Sequence, residues 1–250
     1  MNLRTYPWGL AIMVLTLVGC KTPFAVADVQ PQKNQSINAE IPDDQAMVGI
    51  IQPYKTEMER QMNTKISHTS VELNKAGDNS NLGALLADYT FEGADEWAKV
   101  NHLPPIDAAV INIGGIRSTI GKGDILLKHI FEVMPFENEV VIVKMKGQDI
   151  HQLFSYYAHT QKNNPVSHLL IETEQGQISK ALINGLPADV HREYYIATSD
   201  YLALGGDNMK FFSQGQIIST GIKLRDLFIE KFKQNPEISA PNDVRLIFKK

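Results

Sequence analysis

Apolar residues recur at helical spacing in four stretches of the chain. The clearest stretch begins near Ser80, and its apolar positions follow i, i+3, i+4 and i+7. The same spacing predicts a helix from the aspartates at 43–44 to about residue 61, a helix capped by Asp149, and a helix that ends before Pro236. In chain order, the four apolar faces consist of Met47, Ile50, Ile51 and Tyr54; of Leu82, Leu85, Leu86 and Tyr89; of Ile150, Leu153, Phe154, Tyr157 and Ala158; and of Leu224, Leu227, Phe228 and Phe232.

Short apolar runs between these helices predict β-strands. The run at 107–113 leads into Gly114-Gly115, and the run at 139–146 is dense in valine and isoleucine, which favour strands. Further extended stretches are predicted at 65–73, 166–172, 178–184 and 194–199. Because strands and helices alternate irregularly, with apparent hairpins, the pattern predicts an α+β fold in which a mixed β-sheet is flanked by helices.

The N-terminus has the layout of a secretory signal. Arg4 supplies one positive charge before an apolar run at 8–18, which is too short to span a bilayer comfortably. The run ends in Leu17-Val18-Gly19-Cys20, which resembles the bacterial lipobox and implies cleavage before Cys20 and lipid attachment to it. A short buried helix and an uncleaved anchor are the alternative interpretations of this run. With no acidic run after Lys21, we expect the anchored protein to face the periplasm.

Residues 21–40 are polar, interrupted by proline and without periodicity, which is typical of a flexible tether. The expected organisation is therefore a signal peptide at 1–20, a tether at 21–40 and one folded domain at 41–250. A net charge of -4 and a hydrophobic fraction of 43% indicate an ordinary globular chain. The mild acidity argues against a nucleic-acid polymer as partner. The single cysteine excludes an intramolecular disulfide.

Four separated segments carry side chains that are typical of ligand binding. In chain order they are Asn112-Ile113-Gly114-Gly115-Ile116-Arg117, Pro135-Phe136-Glu137-Asn138, Asp200-Tyr201 and Gly205-Gly206-Asp207. Glycines at a strand end let the backbone approach a ligand closely, and Arg117 offers a planar fork of donors for phosphate or ribose oxygens. Two loop aromatics, Phe136 and Tyr201, can sandwich a nucleobase. Asp207 can accept hydrogen bonds from ribose hydroxyls.

Each of these residues also has an ordinary structural interpretation. Phe136 and Tyr201 could belong to the core, Arg117 could form a surface ion pair, and Gly205-Gly206-Asp207 could be only a turn.

Together with Asn81-Leu82-Gly83, the four segments resemble the C-terminal domain of the 5'-nucleotidase and UDP-sugar hydrolase family in order and separation, over roughly residues 75–235. The resemblance implies the fold of that domain and contact between Asn112 and the base. It implies a substrate-binding role for Asn112, Gly114, Gly115, Arg117, Phe136, Asn138, Tyr201, Gly205, Gly206 and Asp207. The chain departs from the family pattern at Ile113 and Glu137, where glycine is usual. The family also often has an arginine a few residues before the Asn-Leu-Gly helix start, where this chain has only Lys75.

Full enzymes of that family also carry a metallophosphoesterase domain, whose DxH, GNHD-type and GHxH motifs hold two divalent metals that activate water. None of the seven histidines here forms HxH or GNH, and Asp189-Val190-His191 matches DxH without a partner motif. Gly121-Lys122-Gly123 lacks the spacing and the hydroxyl residue of a phosphate-binding loop. We therefore expect no catalytic residue, metal or cofactor in this chain, and two divalent metals in a partner metallophosphatase.

Three functions remain open on this basis. The first is the nucleoside- or nucleotide-recognition half of a periplasmic 5'-nucleotidase that works with a separately encoded metallophosphatase. The second is a lipid-anchored nucleoside-binding protein without catalysis. The third is a structural domain whose pocket has decayed, to which Ile113 and Glu137 would contribute.

Overall fold

A computed structural model of the protein describes residues 26, 28–34, 36–38 and 40–250. The predicted signal peptide and Cys20 lie outside the described residues. The chain divides into two units, residues 1–49 and 50–250. No helix within the described residues is long and apolar enough to cross a membrane.

Six α-helices and ten strands make up the described part of the chain. The helices are α1 (Gln45–Met62), α2 (Asn81–Val100), α3 (Leu127–Val133), α4 (Gly147–Thr160), α5 (Asp200–Ala203) and α6 (Leu224–Gln234). The strands are β1 (Lys65–Thr69), β2 (Ala108–Val110), β3 (Gly123–Leu126), β4 (Glu139–Lys146), β5 (Val166–Ser167), β6 (Leu169–Glu174), β7 (Gln177–Ile183), β8 (Glu193–Ser199), β9 (Gln216–Lys223) and β10 (Leu246–Lys249).

The central sheet has five strands in the order β5-β2-β8-β4-β9. Only β2 and β8 run parallel, and the other neighbours are antiparallel. Along β4, Val140 and Ile142 face one core, which includes residues of α2 and α6, whereas Val141 and Val143 face a second core, which includes residues of α4. The mixed sheet is therefore flanked by helices on both faces, which confirms the predicted α+β fold.

Two smaller sheets complete the fold. One pairs β1 with β3, and the other has the order β10-β6-β7. The last strand, β10, runs parallel to β6, and Arg245 immediately before it binds both carboxylate oxygens of Asp88 on α2 at 2.8 Å. The side-chain oxygen of Asn79 accepts from the backbone N–H of Leu246 at 2.9 Å. The C-terminal strand is thus held by residues from the first half of the domain.

The start of α1 follows the sequence prediction, because Asp44 Oδ1 accepts from the backbone N–H groups of Ala46 and Met47. None of the residues of α1 is buried, so its apolar face is exposed to solvent. The expectation that Asp149 caps helix α4 is wrong. The helix begins two residues earlier, at Gly147, because β4 runs directly into it and Asp149 already lies in its first turn.

Gly147 has a local reason for lacking a side chain. A Cβ atom at this position would lie 2.0 Å from the carbonyl oxygen of Asp189. Its backbone N–H donates to the carbonyl oxygen of Arg192 at 2.7 Å, so the turn before β8 presses against the start of α4.

Candidate functional site

Six of the predicted site residues line one cavity of about 400 Å³: Asn112, Gly114, Phe136, Asn138, Tyr201 and Asp207. They come from three parts of the chain: the loop after β2, the turn before β4, and helix α5 after β8 together with the turn that follows it. Since β2 and β8 are parallel, their C-terminal ends lie at the same edge of the sheet. The antiparallel β4 begins at that edge, where Val140 pairs with Ser199. The sheet topology therefore brings the three sequence segments together.

The first loop is a tight turn over Ile113–Gly115. Space around Gly114 is open, because no atom lies within 4 Å of a Cβ built there. Gly115 is buried and does not line the cavity; a Cβ there would lie 3.0 Å from the side-chain amide of Asn112. Ile113 packs against the core, so its side chain does not crowd the cavity.

Arg117 is exposed and lies beside this loop without lining the cavity. Its Nη1 donates to the carbonyl oxygen of Gly114 at 3.3 Å. Lys75 approaches the same turn, because its Nζ donates to the carbonyl oxygen of Ile116 at 2.7 Å. Two cationic side chains are therefore anchored on the glycine turn.

Phe136 and Tyr201 are each 43% exposed, and neither belongs to the hydrophobic core. Asn138 links the turn that carries Phe136 to helix α5, which carries Tyr201, because its Nδ2 donates to Asp200 Oδ1 at 2.7 Å. The same carboxylate oxygen accepts from the backbone N–H of Tyr201 at 2.7 Å. Asn138 thus lines the cavity and also connects the segments that carry Phe136 and Tyr201.

Asp207 has a left-handed backbone conformation, with φ 53° and ψ 21°. Tyr201 holds it there: the phenol hydroxyl donates to Asp207 Oδ1 at 3.1 Å and accepts from the Asp207 backbone N–H at 3.2 Å. Gly206 leaves room for this contact, since a Cβ there would lie 2.6 Å from the Tyr201 ring. Gly205, at φ 94°, supplies the turn. Both glycines therefore shape the site without lining the cavity.

Asp207 is supported by three further residues, none of which the sequence motifs indicated. Lys162 Nζ lies 3.7 Å from Asp207 Oδ2, and the Tyr156 hydroxyl donates to the Asp207 carbonyl oxygen at 3.2 Å. Burial, with the nearby charge of Asp207, raises the pKa of Tyr156, so its hydroxyl stays protonated and available as a donor. Spacing could not reveal these residues, because they lie on α4 and the loop after it, outside every motif.

The third of them, Asn164, is fully buried and joins two parts of the site. Its Oδ1 accepts from the backbone N–H of Ile113 at 3.0 Å, and its Nδ2 donates to the Tyr156 hydroxyl at 3.2 Å. The glycine turn and the Asp207 turn are therefore connected through one buried amide.

Across the described part of the chain, no group of three or more His, Cys, Asp or Glu side chains is placed to hold a metal ion. The DxH pair forms a local turn, because Asp189 Oδ1 accepts from the backbone N–H of His191 at 2.9 Å.

Residues 60–214 match the family described as 5'-nucleotidase, C-terminal domain. Similar curated proteins include protein UshA of Escherichia coli (strain K12), 27% identical over 217 residues, and the 5'-nucleotidase of Vibrio cholerae serotype O1, 27% identical over 222 residues. Each match covers 82% of this chain and 36% of the relative. The chain therefore spans little more than a third of the length of these relatives.

Solved structures show the same fold. A 5'-nucleotidase precursor from Thermus thermophilus superposes with a TM-score of 0.67 at 22% identity, over 83% of this chain and 44% of that one. The NAD nucleotidase of Haemophilus influenzae superposes with a TM-score of 0.62 at 19% identity, over 82% of this chain and 41% of that one.

Proposed function

Because this chain belongs to the family of the 5'-nucleotidase C-terminal domain, we propose that it is the nucleoside-recognition half of a 5'-nucleotidase. A separately encoded metallophosphatase would supply two divalent metals and the activated water. The overall reaction would be hydrolysis of a nucleoside 5'-phosphate to nucleoside and phosphate. The observation that carries the proposal is the convergence of Asn112, Phe136, Tyr201 and Asp207 on one cavity.

The cavity suits a nucleoside in size and chemistry. Its volume of about 400 Å³ lies within the range of roughly 300–1,000 Å³ that is usual for small-molecule sites. Two partly exposed aromatic rings can stack on a base of any identity, since every base has a π-face. The carboxylate of Asp207, already aligned by Tyr201, is a suitable acceptor for ribose hydroxyls.

The charges beside the cavity suit a 5'-phosphate. Beside the aromatic pair, the carboxylates of Glu137 and Asp207 are paired with Arg225 and Lys162. The carboxylate of Asp200 is already occupied as an acceptor for Asn138 and for the backbone N–H of Tyr201. Arg117 and Lys75 both reach the glycine turn through carbonyl contacts that leave their positive charges unneutralised there. We expect these two side chains to hold the phosphate toward the partner metallophosphatase.

A second candidate is a lipid-anchored binding protein that captures nucleosides without hydrolysis. It is favoured by the fact that the cavity already brings together two aromatic rings and a carboxylate, the groups that can hold a base and a ribose. A neighbouring gene for a metallophosphoesterase without this domain would favour the first candidate.

We also propose that the protein is anchored in the bacterial cell envelope through lipid on Cys20, and that it faces the periplasm. Membrane fractionation tests this, because a Cys20→Ser variant should be lost from the membrane fraction. A variant that still sediments with membranes would contradict lipid attachment at this residue.

Calorimetric titration of the full chain, purified in detergent, with adenosine tests the recognition role. Tyr201→Ala and Phe136→Ala should each weaken binding by about 1–3 kcal/mol, and by a similar factor for every nucleoside, because stacking does not depend on base identity. Tyr54→Ala is the matched control, since Tyr54 is an exposed aromatic residue on α1. If both site variants keep wild-type affinity while remaining folded, the aromatic sandwich is wrong.

Phosphate release from AMP with Mg²⁺ or Mn²⁺ then tests the role of a partner. Hydrolysis should require the candidate metallophosphatase and should be stimulated by this chain. A partner whose AMP hydrolysis is unaffected by this chain would favour the binding protein.

A further inference from the structure

The turn that carries Phe136 is held by Arg225, a residue from much later in the chain. Arg225 Nη1 donates to the carbonyl oxygen of Pro135 at 3.3 Å, and Nη2 forms an ion pair with the carboxylate of Glu137. The two contacted residues stand immediately before and immediately after Phe136 in the chain. One guanidinium group therefore fixes the backbone on one side of the ring-bearing residue and the side chain on the other.

The sheet topology places Arg225 at this point. Strand β9 is antiparallel to β4, and the pairing of Glu139 with Lys223 puts the end of β9 beside the start of β4. Helix α6 follows at once, and the backbone N–H of Leu224 donates to the carbonyl oxygen of Asn138 at 2.9 Å. Three of the four residues of the 135–138 turn are thus contacted by the first two residues of α6.

The side chain of Arg225 is largely shielded from solvent and packs on an aromatic ring. Its side chain is 12% exposed, and Cζ lies 4.5 Å from the centre of the Phe131 ring on α3. Its partner Glu137 is 68% exposed, and pairs of that kind contribute little to global stability. The small contribution of this ion pair to folding therefore does not account for a half-buried arginine that contacts both neighbours of Phe136.

We propose that Arg225 is a positioning residue for nucleoside binding, which fixes the 135–138 turn so that the Phe136 ring stays at the cavity before the ligand arrives. A turn that is already ordered loses less conformational freedom on binding, and the saved entropy appears as affinity. The pairing also occupies the carboxylate of Glu137, which would otherwise carry an uncompensated negative charge beside the phosphate. This inference rests on the proposed function, because it concerns affinity for a nucleoside.

A double-mutant cycle on the full chain tests the role of Arg225. Arg225→Met keeps an apolar stem and removes the fork, and its effect on adenosine affinity is measured by calorimetry with Phe136 present and in the Phe136→Ala background. With Phe136 present we expect adenosine to bind about five- to tenfold more weakly, as is usual for coupled neighbouring residues. In the Phe136→Ala background the same substitution should change affinity less than about twofold, because there is no ring left to position.

Two further variants make the cycle specific. Arg60→Met is the matched control, since it removes another Arg–Glu pair, with Glu57 on the exposed helix α1, and should leave adenosine affinity unchanged in both backgrounds. Arg225→Lys should behave like Arg225→Met despite its charge, because a single ammonium group cannot replace the planar fork. If Arg225→Met lowers the melting temperature so far that binding is lost, Glu137→Gln, which disturbs only one of the two contacts, replaces it in the cycle.

The possible outcomes distinguish failure of the positioning role of Arg225 from failure of the proposed nucleoside-recognition function. Equal losses in the two backgrounds, with adenosine binding by the wild type intact, would overturn the positioning role and leave the recognition function standing. Absence of adenosine binding by the folded wild type would overturn both.

Discussion

Tyr201 offers two chemically different groups to the cavity, a stacking ring and a hydroxyl. The sequence pattern indicates only the ring, and on that basis alone replacement of Tyr201 by phenylalanine, which retains a ring, is expected to be mild. The structure adds two hydrogen bonds between the hydroxyl and Asp207, one to the side chain and one to the backbone. Spacing alone could not reveal them, because they depend on the left-handed backbone of Asp207.

We therefore predict that Tyr201→Phe separates the two functions of this residue. The retained ring should leave affinity for 2',3'-dideoxyadenosine near the wild-type value. Affinity for adenosine should fall by about 0.5–1.5 kcal/mol, the usual net value of a hydrogen bond, because Asp207 is no longer held for the ribose hydroxyls. Calorimetry with both ligands measures the ratio, and Tyr54→Phe serves as the control. Equal losses for the two ligands would show that the hydroxyl does not act through ribose recognition.

At the scale of whole elements, the sequence predicted those with a strong apolar pattern and missed the others. Strand β4 has the predicted bounds, because its valine and isoleucine residues face two cores. Strand β9 was missed because it is an edge strand in which no residue is buried, so its sequence lacks the apolar density of β4. Helix α3 and strand β3 were too short to show a period. The elements that escaped prediction still matter to the site, since β9 leads directly to Arg225.

Helix α2 docks against the β5–β6 region through an aromatic contact. The rings of Phe91 and His168 stack with their centres 3.7 Å apart and their planes 16° apart. Ser167 adds a hydrogen bond from its hydroxyl to Asp88 on α2, at 2.6 Å. Burial lowers the pKa of His168, as does Arg245, against the opposite effects of Asp88, Asp95 and Glu92.

We predict that this docking makes the fold sensitive to mild acid. Because the pKa of His168 is lower in the folded chain than in the unfolded one, the unfolded chain takes up the proton first as pH falls. The contribution to stability is therefore complete above the unfolded pKa of about 6.5 and is lost as pH falls through the folded pKa. Denaturant unfolding between pH 7.5 and 5 measures this loss. His168→Asn, which tolerates the left-handed backbone at φ 59°, should flatten the pH dependence. An unchanged slope would assign the acid sensitivity to other groups.

For the molecule as a whole, the sequence indicated residues that the fold brings to one cavity, but not the residues that support them. Motif order and separation indicated ten binding residues, and six of them line one cavity. The other four do not line it: Gly115, Gly205 and Gly206 shape the adjoining turns through their backbone, and the side chain of Arg117 contacts the glycine turn. The supporting residues Asn164, Tyr156 and Arg225 became visible only in three dimensions, because each acts through a partner that is distant in sequence or through a carbonyl group.

We predict that the chain alone does not hydrolyse AMP in the presence of Mg²⁺ or Mn²⁺. The sequence lacks the GNHD-type and GHxH motifs that would have to accompany a DxH motif in a two-metal site. Phosphate release by the highly purified protein is the measurement, and a heat-denatured sample is the control. Metal-dependent turnover that is abolished by His191→Ala would refute the prediction and make Asp189 and His191 metal ligands.

The parallel pairing of β10 with β6 has a consequence for the order in which the protein can fold. Leu246 pairs with Ile171, and Arg245 reaches back to Asp88, so the three-stranded sheet and the ion pair of Asp88 are complete only when residues near position 246 are in place. Contacts between segments so far apart in sequence form slowly, because the loop that joins them must close first. During synthesis, the edge of β6 that pairs with β10 must therefore remain open until residues 246–249 emerge. An open strand edge is a template for pairing with another chain, so the risk of misassembly is highest in that interval.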